Sequence, residues 1–168
     1  MQPDLTHIYH FWNSPPANGS FHRLVRPHRW SANEINKLDR KGIAQLGENI
    51  AAKWAEAGSW SILEQQKRHR GFELDLVIRR KQSLRIIEVK TRLYPASDPD
   101  MNVSEAWLNY KKRMALIRGT KFILNRMKQK ANLLDSITCE LIAIDILKNQ
   151  QIAVYRWPDA CSLDPSGR

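Results

Sequence analysis

Asp75, Glu88 and Lys90 are the residues whose types and spacing can do chemistry together. The stretch Arg85-Ile86-Ile87-Glu88-Val89-Lys90-Thr91 alternates, so a strand would project Glu88 and Lys90 from one face and Ile87 and Val89 from the other. Phe72-Glu73-Leu74-Asp75-Leu76-Val77-Ile78 alternates in the same way, with Leu74, Leu76 and Ile78 on one face and Glu73, Asp75 and Val77 on the other. Arg79 to Leu84 is a polar reversal, which predicts an antiparallel hairpin. With the turn centred between Lys81 and Gln82, paired residues have numbers that sum to 163. Asp75 then faces Glu88 and Val77 faces Ile86, while Leu74 with Val89 and Leu76 with Ile87 form an apolar layer on the other side. The register that buries the most apolar surface therefore also crowds two carboxylates, an arrangement that raises a pKa or calls for a cation. Lys90 offsets part of that charge. A divalent ion such as Mg²⁺ would offset more, since it takes oxygen ligands at about 2.0–2.1 Å, commonly one or two carboxylates plus waters and phosphate oxygens. The plainer alternative is an exposed strand with a local Glu88–Lys90 ion pair.

The charge balance indicates what such a site would meet. In 168 residues there are 27 Lys and Arg against 17 Asp and Glu, a net charge of +10, which makes polyanions the first partners to consider. Between residues 105 and 130 eight Lys and Arg stand against Glu105 alone, so seven of the ten net charges fall there. Lys111, Lys112, Arg113 and Arg118, together with Arg68 and Arg70 of the run Lys67-Arg68-His69-Arg70-Gly71, are the candidate phosphate contacts; an ordinary solvated helix face is the alternative for the former group.

These side chains need elements to hold them. Ser31-Ala-Asn-Glu34 has the form of a capping box for a helix that breaks near Gly42 and runs to Ala57, with Ile43, Leu46, Ile50, Ala51 and Trp54 as its apolar stripe and Gly58 as its stop. Glu48 lies off that stripe. Trp60 to Leu63 is a short strand candidate, and the basic run after it reads as a connector. Beyond Thr91, a polar loop from Leu93 to about Leu108 leads to Asn109 as N-cap of a second helix through about Met127, its stripe carried by Met114, Ile117, Leu124 and by Leu116, Ile123, Met127. Ile137 to Leu147 and Ile152 to Tyr155 form a hairpin about the turn 148–150, and the strand–helix–strand passage before it implies a right-handed parallel crossover.

The remaining features exclude several classes. Hydrophobic residues at 42% and charged residues at 26% suit a globular domain. No apolar run approaches the ~20 residues of a membrane helix, and the N-terminus lacks a leader pattern, so a cytoplasmic protein without membrane attachment is expected. Cys139 and Cys161 form no metal or disulfide motif, and the spacings of His7, His10, His22 and His28 repeat no zinc-ligand pattern. The expected division is a partly irregular N-terminal arm and lead-in over 1–41, a domain over 42–156 and a loose tail over 157–168.

Gly47-Glu48-x-x-Ala51, Phe72-Glu73-Leu74-Asp75-Leu76, Ile87-Glu88-Val89-Lys90-Thr91-Arg92 and Lys112 with Leu116-Ile117-Arg118, in this order, resemble the YraN-like bacterial family. That family belongs to the PD-(D/E)xK nuclease superfamily, alongside restriction endonucleases and archaeal Holliday junction resolvases. The resemblance spans about residues 42–155 and implies an α/β protein with a restriction-endonuclease-like αβββαβ core, a mixed central sheet flanked by helices. It implies that Asp75, Glu88 and the Val89 carbonyl hold Mg²⁺ or Mn²⁺, that Lys90 orients or activates the attacking water, and that Glu48 supports the metal directly or through water. Glu73 matches an accessory acid. Phe72 stands where the family often has Gly, and Gln66 where it has Asn. The expected activity is metal-dependent hydrolysis of DNA, endonuclease-like, on branched or single-stranded substrates, with a homodimer possible on symmetric junctions. A non-catalytic nucleic-acid-binding module on the same fold and a protein-interaction protein are the competing readings.

Overall fold

The computed structural model describes residues 21–25, 37–94, 108–127, 133–147, 152–158 and 160–161, with only the backbone for 21–25, 94, 147, 153 and 155. Asp39 caps helix α1 (Arg40–Ala57), its carboxylate accepting the Gly42 amide at 2.7 Å; the Ser31 capping box lies outside the described residues. The stripe Leu46, Ile50, Ala51, Trp54 and Ala55 is buried, and the helix closes at Gly58 with the following Ser59 in a left-handed conformation (φ 59°).

Strands β2 (Ser61–His69), β3 (Phe72–Arg80) and β4 (Ser83–Tyr94) form an antiparallel meander. Helix α2 (Tyr110–Met127) then crosses to β5 (Ser136–Leu147), which lies parallel to β4, and β6 (Ile152–Trp157) returns antiparallel to β5. Asn109 caps α2 by accepting the Lys112 amide at 3.0 Å. With β1 (Phe21–Val25) on the outer side of β6, the sheet has the order β1-β6-β5-β4-β3-β2. This is a mixed sheet of the α/β class, consistent with the restriction-endonuclease-like core. No helix among the described residues is long and apolar enough to cross a membrane.

Two apolar layers sandwich the sheet. On the α1 side Leu46, Ile50 and Trp54 pack on Leu76, Ile78, Ile87, Val89, Ile142 and Ile144. On the α2 side Leu116 and Ile123 pack on Leu74, Val77, Leu84, Ile86, Leu141 and Ala143. The β3–β4 register runs from Leu76 with Ile87 to Arg80 with Ser83 about the two-residue turn Lys81-Gln82, and every pair sums to 163.

Four expectations differ from the structure. Leu74 packs on the α2 side with Val77, not beside Leu76 against Val89, because β3 leaves the β4 ladder at Asp75 and the alternation breaks there. The basic run is not a connector: Lys67, Arg68 and His69 belong to β2, and only Arg70 and Gly71 (φ 90°) make the turn. As an edge strand, β2 carries polar residues on both faces and so gives no apolar alternation to read. Part of the N-terminal arm, read as irregular for want of a sustained period, is a strand, β1, paired with β6 through a register shift between His22 and Leu24. Beyond Trp157 the chain is not wholly loose, since Ala160 and Cys161 are buried on the α2 side and the Ala160 amide donates to the Cys139 carbonyl at 2.7 Å.

Candidate active site

The break at Asp75 is what builds the site. Where the β3–β4 ladder ends, the Asp75 carboxylate accepts the Val89 amide at 2.8 Å, so a side chain takes the place of a backbone acceptor. Asp75 and Glu88 are brought together there, both buried, Glu88 completely. Opposite, Lys112 in the first turn of α2 reaches down from the same helix face as Leu116 and Ile123. Its ammonium lies 2.7 Å from Glu88 Oε2 and 3.9 Å from Asp75 Oδ1. Lys90, two residues along β4, brings its ammonium to 2.7 Å from Glu88 Oε1. The helix can sit this low because residue 119 is Gly: a Cβ there would lie 2.5 Å from Leu74 Cδ2.

Glu88 differs from the other fully buried carboxylates of the sheet. Glu140 is bonded twice by the Arg156 guanidinium, at 2.8 Å each, and Asp145 is held by Arg92 at 2.6 and 2.9 Å. Glu88 has no guanidinium or backbone amide bonded to it among the described residues; its two oxygens instead meet lysine ammoniums, each at 2.7 Å. Burial raises the Asp75 carboxyl to about 8, with the Glu88 charge adding to the effect and Lys112 and the Val89 amide opposing it. A protonated Asp75 can donate to Glu88, which favours retention of the proton further. At Lys112 burial disfavours the ammonium, but Glu88 and Asp75 more than offset this and hold its pKa above the usual lysine value.

Glu48 approaches from the other side of the sheet. Its neighbour Gly47 lies directly on β4, where a Cβ would fall 1.6 Å from Thr91 Oγ1, so only glycine lets α1 come this close. Half-buried, Glu48 has its pKa raised by desolvation and by the charges of Glu73 and Glu88, against a hydrogen bond with Gln66 and the charge of Lys112. Gln66 adopts a left-handed conformation (φ 50°) at the level of Asp75 on the neighbouring strand. Among the described residues, Glu48, Asp75 and Glu88 do not close into a ready cage of three or more acidic, His or Cys ligands. The donor set is therefore two adjacent carboxylates, one of them fully buried and met by lysine ammoniums. That suits a hard cation whose other positions go to carbonyl, water and phosphate oxygens, as Mg²⁺ or Mn²⁺ prefers.

An open groove of about 530 Å³ leads to Lys90 and Lys112. Arg68, Lys111 and Arg118 also line it, against the single carboxylate of Glu73, which Arg68 contacts at 3.3 Å. Arg70 stands exposed at the β2–β3 turn and Arg113 donates to the Leu108 carbonyl; neither lines the groove. Lys112, expected among surface phosphate contacts, is instead in the floor of the site. Sequence reasoning missed this, although its spacing of four from Leu116 and eleven from Ile123 put it on the buried stripe. It also missed the roles of Gly47 and Gln66 in placing Glu48.

Residues 47–148, which include all the charged residues of the site, match the model of the "Uncharacterised protein family UPF0102". A UPF0102 protein of Trichormus variabilis is 26% identical over 118 residues, 67% of this chain and 76% of that protein. One of Nostoc sp. is 28% identical over 121 residues, 69% of this chain and 84% of that protein. One of Geobacter metallireducens is 38% identical over 55 residues, 33% of this chain and 45% of that protein. The chain belongs to the UPF0102, or YraN-like, family of the PD-(D/E)xK nuclease-like superfamily.

Proposed function

We propose that this protein is a divalent-metal-dependent DNA phosphodiesterase, endonuclease-like, acting on branched or single-stranded DNA. The observation that carries the reading is the buried Asp75–Glu88 pair, its charge met by Lys90 and Lys112, the two lysines through which it adjoins a cationic groove. Asp75, Glu88 and the Val89 carbonyl are the residues that would hold Mg²⁺ or Mn²⁺. Such an ion, when bound, would neutralise phosphate oxygens and acidify water. Lys90 orients the attacking water and faces the charge that develops as the new P–O bond forms and the opposite one breaks. Glu48 supports the arrangement through Gln66 and water. Arg68, Lys111 and Arg118 hold the phosphate backbone, which gives affinity without reading sequence.

A second reading, a nucleic-acid-binding module that does not cut, is favoured by Lys112, whose ammonium already neutralises part of the carboxylate charge. Incubation with Mg²⁺ or Mn²⁺ and single-stranded, duplex or four-way DNA separates the two. Cutting that disappears with EDTA and falls at least ~100-fold in Asp75→Ala and Lys90→Ala supports the enzyme. Binding without metal-dependent product on any of these substrates supports the module.

A further inference from the structure

Beside the cationic residues, one wall of the groove is aromatic. His69, the last residue of β2, and Phe72, the first of β3, face each other across the Arg70-Gly71 turn with ring centres 4.9 Å apart and planes 25° from parallel. Phe122 of α2 packs behind both, 4.6 Å from the His69 ring and 5.6 Å from that of Phe72. Glu64, its side chain only 8% exposed, contacts His69 Nε2 at 2.9 Å and is itself held by Arg126 at 2.5 Å. The ring pair is thus fixed in position by partners that have no contact with the carboxylate site. His69 and Phe72 line the same groove as Lys111, Lys112 and Arg118, and its volume suits a nucleotide-sized ligand.

A cationic track beside fixed aromatic rings matches the chemistry of a single strand, which offers phosphates and free base faces together. In a duplex those faces are covered by neighbouring bases. We propose that Phe72, backed by the largely buried His69 ring, forms a stacking platform for an unpaired base of a DNA strand whose phosphates run along Arg68, Lys111 and Arg118. This rests on the reading of the groove as a DNA site and assigns its substrate form: a strand with an unpaired nucleotide next to the phosphate to be cut. The platform gives no base identity, because every base has a π face.

The test uses the full chain in EDTA, so that binding is read without cleavage. A single-stranded oligonucleotide carrying 2-aminopurine and a duplex of the same sequence are titrated into wild type, Phe72→Leu and Phe72→Trp, with thermal melts to establish folding. Phe72→Leu keeps apolar volume but loses the ring. It is expected to weaken single-strand binding about tenfold and to remove the quenching of 2-aminopurine, with duplex affinity and salt dependence unchanged, while Phe72→Trp retains both binding and quenching. Unchanged single-strand affinity and quenching in Phe72→Leu, or equal losses for single strand and duplex, overturn the platform alone. If wild type binds neither DNA at low salt, the DNA reading of the groove falls with it.

Discussion

The Lys112 ammonium lies 2.7 Å from Glu88 Oε2, so a lysine from α2 meets a fully buried carboxylate of β4 whose other oxygen meets Lys90. Reaching also to 3.9 Å from Asp75, Lys112 stands where a cation shared by the two carboxylates belongs. A divalent ion bound as proposed would have to compete with that ammonium for one seat.

Removing that ammonium leaves the carboxylates under-compensated. Lys112→Met is expected to destabilise the metal-free protein by about 1–3 kcal/mol, as expected for a buried charged group deprived of a partner. Mn²⁺ should recover more stability in this variant than in wild type, because the competitor is gone. Urea melts with and without Mn²⁺ measure both effects. Equal Mn²⁺ stabilisation of the two proteins would mean that Lys112 does not compete.

The Asp75 carboxyl gives a pH dependence of defined sign. Its ordinary value is 3.8 and its value in the fold is about 8, so the native state holds the proton more tightly than the unfolded chain. The resulting stabilisation is full below 3.8, declines as pH rises between the two values and is gone above about 8. Metal-free stability is thus expected to carry a downward component from pH 4 to pH 8 that is missing in Asp75→Asn. Mn²⁺ affinity should rise over the upper part of this range, with proton release on binding. Calorimetric titration in buffers of different ionisation enthalpy counts the protons; a pH-independent affinity would contradict the assignment.

Gly47 is expected to tolerate no side chain. In Gly47→Ala the new Cβ would meet Thr91 Oγ1 at 1.6 Å and Thr91 Cβ at 2.8 Å, so α1 must move off β4 and take Glu48 with it. A loss of about 1–3 kcal/mol follows, partly restored in Gly47→Ala/Thr91→Ala, where Oγ1 and Cγ2 are removed. Denaturant melts of the single and double variants check this.

The hairpin register was legible in the sequence because two constraints coincide in it: the polar two-residue reversal at Lys81-Gln82 and the apolar faces of Leu76, Ile78, Ile86 and Ile87. That alone brought Asp75 and Glu88 into one neighbourhood. The side on which Leu74 packs was hidden, because Asp75 spends its carboxylate on the Val89 amide and so ends the ladder that alternation assumes. The extent of β2 was hidden for a different reason: a strand exposed at the sheet edge has no need of apolar alternation. Lys112 lay between the two cases, its position on the buried stripe visible but its partners a matter of how deeply α2 packs at Gly119.

The groove cations should act separately from the carboxylates. Arg68→Ala, Lys111→Ala and Arg118→Ala are each expected to weaken DNA binding for all sequences alike and to lower the log–log salt slope by about 1, with Mn²⁺ affinity unaffected. Binding isotherms across a salt series measure the slopes, and an unchanged slope in all three would place the DNA elsewhere.

The central claim is that Asp75 and Glu88 form the seat of a divalent ion. Anomalous diffraction from crystals of the wild-type protein soaked in Mn²⁺ tests it most directly. The account predicts a peak about 2.1 Å from oxygens of both carboxylates, with Lys112 displaced from its present position. No peak at saturating Mn²⁺, with the Lys112 ammonium still against Glu88, would contradict it.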